Sequence, residues 1–363
     1  MTNVNMLATR TFGLKLVKRE YTNVWGEILA IVLALLGALI VSALLIWTSG
    51  ADMGEALKAL FKGAFGNGNS FLETLVQATP LIFTGLAIVV AFRAKVWNIG
   101  AEGQFFAGAM AAAWVSMNLI DLPRPVLLTV IVFASLVAGA VWGFIPGLLK
   151  ARLGTNEIIT TVMMNYIITF ILSYLLDGIW SAPGDYFMQT PSFAVTTHMP
   201  TFFNSRLHLG FVLAILLAGI VYILLWKMPL GYEIRAIGVN SLAAKYRGIN
   251  IAKTIILVMV LSGAIAGLAG GSELTGLHHR LRLDISVGYG FTGIMIALLG
   301  RLNPFGVILA AIFFGALVNG STAMQIFSGV PAALVFSVQG IVLIFLLVAE
   351  VLTKYQIRRV SHA

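Results

Sequence analysis

Asn98-Ile99-Gly100-Ala101-Glu102-Gly103-Gln104 lies between two long apolar stretches, about Phe71 to Phe92 and about Phe105 to Ile120. An ionisable group at the centre of a membrane helix costs about 2.5–3.5 kcal/mol on insertion scales, so a carboxylate at 102 needs a reason. Gly100, Ala101 and Gly103 let the backbone turn or approach a neighbour closely. A polar, glycine-interrupted break beside apolar helices is how membrane transporters build a substrate path. The competing reading is a plain loop at the membrane surface, because Arg93 and Lys95 lie just upstream.

The surrounding composition belongs to a membrane chain. Of the 363 residues, 59% are apolar and only 10% charged, against about 25% charged in soluble domains. The net charge of +9 does not indicate nucleic acid, because the basic residues are scattered in gaps between apolar runs, as positive-inside topology requires. The absence of cysteine excludes disulfides, Cys-ligated zinc and iron–sulfur clusters. The five histidines form no ligand pattern. His278 and His279 are adjacent, so on a helix they point about 100° apart, and no metal is expected.

Working outward, the apolar pattern predicts an all-α polytopic protein with about ten spans of about 20 residues each. The basic N-terminal segment, residues 1–26, leads into a first, uncleaved span from about Glu27 to Trp47, with the N-terminus in the cytoplasm. Residues 51–66 have the spacing of an amphipathic helix at the outer surface. The span from Val126 to Leu149 carries Gly139, Gly143 and Gly147, and that from Thr254 to Leu274 carries Gly263, Gly267 and Gly271. Four-residue spacing gives each a face for close helix packing. Residues 177–207 form the longest outer loop. A second polar break covers 276–290, followed by spans at about Phe291 to Leu299, Pro304 to Gln325 and Pro331 to Leu352. The tail, 354–363, returns to the cytoplasm. The order span–break–span recurs, which suggests two inverted five-helix halves, about 27–207 and 208–353, within a transmembrane domain 27–353. In opposite orientation, the second break faces outward where the first faces inward, which accounts for Arg280 and Arg282 on the outer side.

Residues 229–253 are the longest polar stretch expected on the inner side. Asn240 or Ser241 can cap a helix, Leu242 to Arg247 then form a short helical turn, and Gly248 can end it in the left-handed conformation. The small pair Ala243-Ala244 leaves a shallow surface, and Tyr246 and Arg247 offer anchors. This suits insertion into a groove of a cytoplasmic partner; the alternative is an ordinary loop helix with snorkelling Lys and Arg.

Gly238-x-Asn240-x-x-Ala243-Ala244-x-x-x-Gly248-Ile249 resembles the coupling-loop motif of ABC importer permeases of the sugar, branched-chain amino acid and nucleoside branch. Asn98 to Gln104, Gly154-Thr-Asn-Glu-Ile-Ile159 and Met163-Met-Asn-Tyr166 resemble the nucleoside (guanosine-type) permeases within it, and Leu261-Ser-Gly-Ala-Ile-Ala-Gly-Leu-Ala-Gly270 fits the same branch. The resemblance covers roughly residues 27–350. It implies a multi-pass permease subunit of the cell (plasma or inner) membrane. Its partners are then a cytoplasmic ATPase, a second permease subunit (a different chain or a second copy) and an extracytoplasmic solute-binding protein. No Gly-x-x-x-x-Gly-Lys-Ser/Thr occurs, so this chain is expected to bind no cofactor, with ATP and Mg on the partner ATPase.

On that resemblance, Gly238, Asn240, Ala243, Ala244, Tyr246, Arg247 and Gly248 couple to the ATPase. Asn98, Glu102 and Gln104 line the path from one half, and Ser286, Tyr289 and Phe291 from the other. Glu102 has a second reading, a structural carboxylate bonded to backbone amides at the start of the following span. His278, His279, Arg280 and Arg282 face the binding protein, or else form a solvated basic loop or a lipid-headgroup contact. An ion-coupled secondary transporter and a permease for a simple sugar are the alternatives. An intramembrane enzyme is disfavoured: there is no His-Glu-x-x-His or Gly-x-Ser-x-Gly, and Glu73, Glu102, Glu157, Glu273 and Glu350 are dispersed.

Overall fold

The computed structural model describes residues 14–18, 24–48, 50–184 and 186–359. Most of the expected segment 1–26 and the last four residues of the expected tail therefore lie outside the described residues. In chain order the elements are β1 (Leu14–Lys18), α1 (Val24–Thr48), α2 (Met53–Phe65), α3 (Gly68–Arg93), α4 (Ala101–Asn118), α5 (Arg124–Leu153), α6 (Glu157–Asp177), α7 (Leu209–Lys227), α8 (Pro229–Val239), α9 (Ser241–Tyr246), α10 (Ile251–Glu273), α11 (Tyr289–Leu299), α12 (Pro304–Ser328), α13 (Ala332–Lys354) and β2 (Tyr355–Arg359). α10 runs on into a π-helical turn, Leu274–His278.

Local chemistry sets the helix ends. Asn67 and Asn156 cap α3 and α6, accepting from Ser70 N at 2.7 Å and Ile158 N at 2.9 Å. Gly154, at φ +67°, closes α5 in the left-handed region. His208 caps α7 through Nδ1, which accepts from Gly210 N at 3.1 Å.

Eight of these helices are long and apolar enough to cross a membrane, among the described residues. The two expected spans outside that set are α4 and α11. α4 is short, at 18 residues, and largely buried in protein, so its sequence need not match lipid. α11 has 11 residues and reaches about 16 Å at 1.5 Å per residue, about half of a 30 Å hydrocarbon core.

The chain divides by contact into two compact units, residues 1–60 with 321–363, and residues 61–320. In the first, β1 pairs antiparallel with β2, Leu14 opposite Arg359, and Ile46, Ala56, Leu60, Met324 and Val338 form a small core. In the second, α3 is buried along most of its length and packs against α7, α10 and α11, while α4 packs against α5, α6 and α10. The two glycine stripes meet each other there. A Cβ on Gly139 would collide with Gly263 O, and one on Gly267 with Ser135 O. α5 and α10 therefore touch backbone to backbone.

Candidate functional site

The first break begins where α3 ends at Arg93, and the chain then runs without helix until Ala101. Asn98 is fully buried and satisfied on both sides of its amide. Its Nδ2 donates to Gln104 Oε1 at 2.9 Å and to Ser262 Oγ at 2.8 Å, and its Oδ1 accepts from Gly100 N at 2.9 Å. Ser262 in turn donates to Ala87 O at 2.7 Å. From α6, Asn165 Oδ1 accepts from Gly103 N at 2.8 Å and its Nδ2 donates to Ile99 O at 2.9 Å. Glu157, ion-paired to Lys150, accepts from Trp97 N at 3.4 Å. A buried polar segment without such partners would be destabilising; here α6 and α10 hold it rigid.

The second break meets the first through Glu102, which is 7% exposed. Its Oε2 accepts from Gly290 N at 2.7 Å, and the Ser286 hydroxyl hydrogen-bonds the same carboxyl group. Ser286 Oγ also accepts from Tyr289 N at 3.1 Å. The Tyr289 ring lies 5.8 Å from that of Phe105, and its hydroxyl reaches Glu273 Oε1 at 3.5 Å. Five of the six path candidates are thus gathered in or beside buried networks, whereas Phe291 presents an exposed ring. The depth follows from helix geometry. Gly293 packs against Thr84, and Arg93 donates from Nε and Nη2 to Leu302 O at 3.0 and 2.8 Å. α11 therefore runs beside the last half of α3 in the same direction. At 1.5 Å per residue its first turn is about level with the middle of α3.

Segment 229–253 holds two helices where the sequence reading anticipated one. α8 starts with a proline in its first turn and buries Gly231, Ile234, Ile237 and Gly238, a helical spacing that was legible but overlooked. A Cβ on Gly238 would collide with Arg93 O, so α8 rests directly on the end of α3. In α9, Asn240 Oδ1 accepts from Ala243 N at 3.1 Å. Gly248, at φ +82°, ends the turn while Ile249 N donates to Ala244 O at 3.1 Å. Ala244 is buried; Ala243, Tyr246 and Arg247 are exposed, Tyr246 at 92%.

On the other side, the long loop lies on the π-helical turn and the segment after it. Thr190 N donates to Leu281 O, Phe193 N to His279 O and Met199 N to Thr275 O, each at 3.0 Å. His279 stacks on His198 at 3.7 Å. Burial, then the charges of the neighbouring histidines, push its imidazole down to about 4. His278 Nε2 faces Glu273 Oε1 at 3.4 Å, Arg282 pairs with Asp284 at 3.1 Å, and Arg280 is exposed. Both histidines are thus engaged with their own chain. No group of three or more metal-binding side chains occurs among the described residues.

A family model described as the branched-chain amino acid transport system / permease component matches residues 70–347. The guanosine ABC transporter permease protein NupP of Bacillus subtilis is 37% identical over 340 residues, 92% of this chain and 95% of that one. The glucose ABC transporter permease protein TsgB13 of Haloferax volcanii is 34% identical over 95% of this chain and 93% of its own. The nucleoside ABC transporter permease protein NupB of Lactococcus lactis is 33% identical over 89% of this chain and 91% of its own.

Proposed function

The chain belongs to the branched-chain amino acid transport system / permease component family, and from that premise we propose that it is the permease subunit of an ATP-driven importer whose solute is a nucleoside. The reading extends to a transmembrane domain over 27–353 with about ten crossings, inverted halves at about 27–207 and 208–353, and both termini in the cytoplasm. The β1–β2 pairing supports termini on one side. The partners are a cytoplasmic ATPase that binds ATP and Mg, a second permease subunit and an extracytoplasmic binding protein, in the plasma membrane.

The observation that carries the coupling reading is the seating of α8 on Arg93 O through Gly238, with the exposed α9 beyond it. A push on Tyr246 and Arg247 reaches the end of α3 through backbone contact. There the Arg93 guanidinium holds Leu302, just beyond α11. The far end of α11 is fastened to Glu102. On this reading the buried side chains Asn98, Glu102 and Gln104 keep the break in shape, and Phe291 is the aromatic face offered to the solute. Stacking a base on one ring contributes about 1–3 kcal/mol, enough to favour a nucleoside over a sugar. Arg280 is the residue offered to the binding protein.

The test is uptake of labelled guanosine by vesicles holding the full complex, with ATP inside and ion gradients collapsed. Guanosine and adenosine should compete and glucose should not. Uptake driven by an ion gradient without ATP would overturn the reading. Competition by glucose alone would favour the sugar alternative, which rests on the similarity to the glucose permease protein.

A further inference from the structure

A cavity of about 690 Å³ opens between the C-terminal end of α5 and the N-terminal end of α10. Its size is that of a small-molecule site, about 300–1,000 Å³. Phe144, Ile256, Leu257 and Val260 supply an apolar wall, and Arg152 and Lys253 stand at one end. Neither cation has an ion-pair partner among the described residues, although Lys150, two residues from Arg152, is paired with Glu157. Two uncompensated positive charges beside a lipid-like wall call for one molecule that is anionic at its head and apolar in its body.

We propose that this cavity holds an anionic phospholipid, with its phosphate between Arg152 and Lys253 and an acyl chain along Phe144, Ile256, Leu257 and Val260. Basic pockets between membrane helices at the cytoplasmic face bind such headgroups, and the paired charges select against a zwitterionic lipid. The apolar wall argues for a lipid over a free anion. The site also touches the polar segment. Asn250 Oδ1 accepts from Lys253 N at 3.0 Å, and the Thr254 hydroxyl donates to Glu233 Oε2 on α8 at 3.2 Å. A bound lipid therefore braces the junction of α10 with α8. Lipid binding itself does not depend on the transport reading.

The test uses the intact complex, delipidated and returned to nanodiscs of phosphatidylcholine with or without phosphatidylglycerol. Native mass spectrometry should find phosphatidylglycerol retained at least tenfold more by the wild type than by the double variant R152Q/K253Q. Phosphatidylglycerol should raise the melting temperature of the wild type only. V260W, which fills the wall without touching either charge, should lose retention as well. Equal retention by all three proteins overturns the proposal. So does a melting shift reproduced by millimolar inorganic phosphate, which would mean a soluble anion. Single cysteines F144C and V260C, in a chain that otherwise has none, give the last control. Efficient cross-linking of these to the second permease would mean that protein, not lipid, covers the groove.

Discussion

Glu102 caps a distant helix, accepting from Gly290 N, 188 residues further on, in the first turn of α11, where the helix dipole favours negative charge. Glu102→Ala leaves the buried Gly290 amide without its acceptor and takes one partner from the Ser286 hydroxyl, a loss of about 1–3 kcal/mol. Glu102→Gln keeps one acceptor and should lose less. Thermal unfolding of the purified complex measures both, and equal stability of Glu102→Ala and the wild type would remove the clamp. The sequence reading marked the stretch 98–104 and allowed the carboxylate a bond to backbone amides, but at the start of its own helix. The actual partner lies on another helix, a distance that no local pattern encodes. Asn165 and Ser262 were missed as site residues for the same reason. Each stood in view as a polar side chain in an apolar helix, within Met163–Tyr166 and Leu261–Gly270, yet what it grips became visible only in three dimensions.

At the scale of elements, α5 and α10 approach as closely as backbones can. Gly139→Ala must part them, because its methyl would meet Gly263 O, and overpacking of this kind costs about 1–3 kcal/mol. Gly219→Ala on α7 meets nothing within 4 Å and should raise stability by about 0.4–1 kcal/mol, because alanine restricts the unfolded chain. Similar melting temperatures for the two variants would contradict the packing described. Four-residue glycine spacing announced both stripes in the sequence, because it depends only on helix period; that they face one another did not follow from it. The long loop over residues 177–207, packed on His279, gives a prediction in pH. His279 has an imidazole held at about 4, below its ordinary 6.5, so the unfolded chain binds the proton more readily than the folded one. The stability it contributes is complete above about 6.5 and is lost as pH falls toward 4. Melting temperature followed from pH 7.5 to 4.5 should drop less steeply in His279→Gln. Parallel curves would mean that His279 does not titrate in this way.

For the whole molecule, composition and hydropathy made the membrane class plain, and the motif at 238–249 made the family plain, since both are carried by residue type and spacing. The depth of α11 was not legible: its 11 residues resemble a truncated span until packing on α3 assigns them to half the thickness of the protein. Coupling is testable at this scale. Asn240→Ala removes a cap worth about 1 kcal/mol from a six-residue helix, so on the proposed coupling ATP turnover stimulated by loaded binding protein should fall while the rest of the fold melts as before. Unchanged stimulation would separate α9 from energy transfer. The contact of Gly238 with the Arg93 carbonyl has one more effect. At that point α8 meets main chain and not a side chain that could swing aside. A methyl group inserted as a shim at 238 would meet that carbonyl, and α8 would have to lift away from the end of α3 to make room for it.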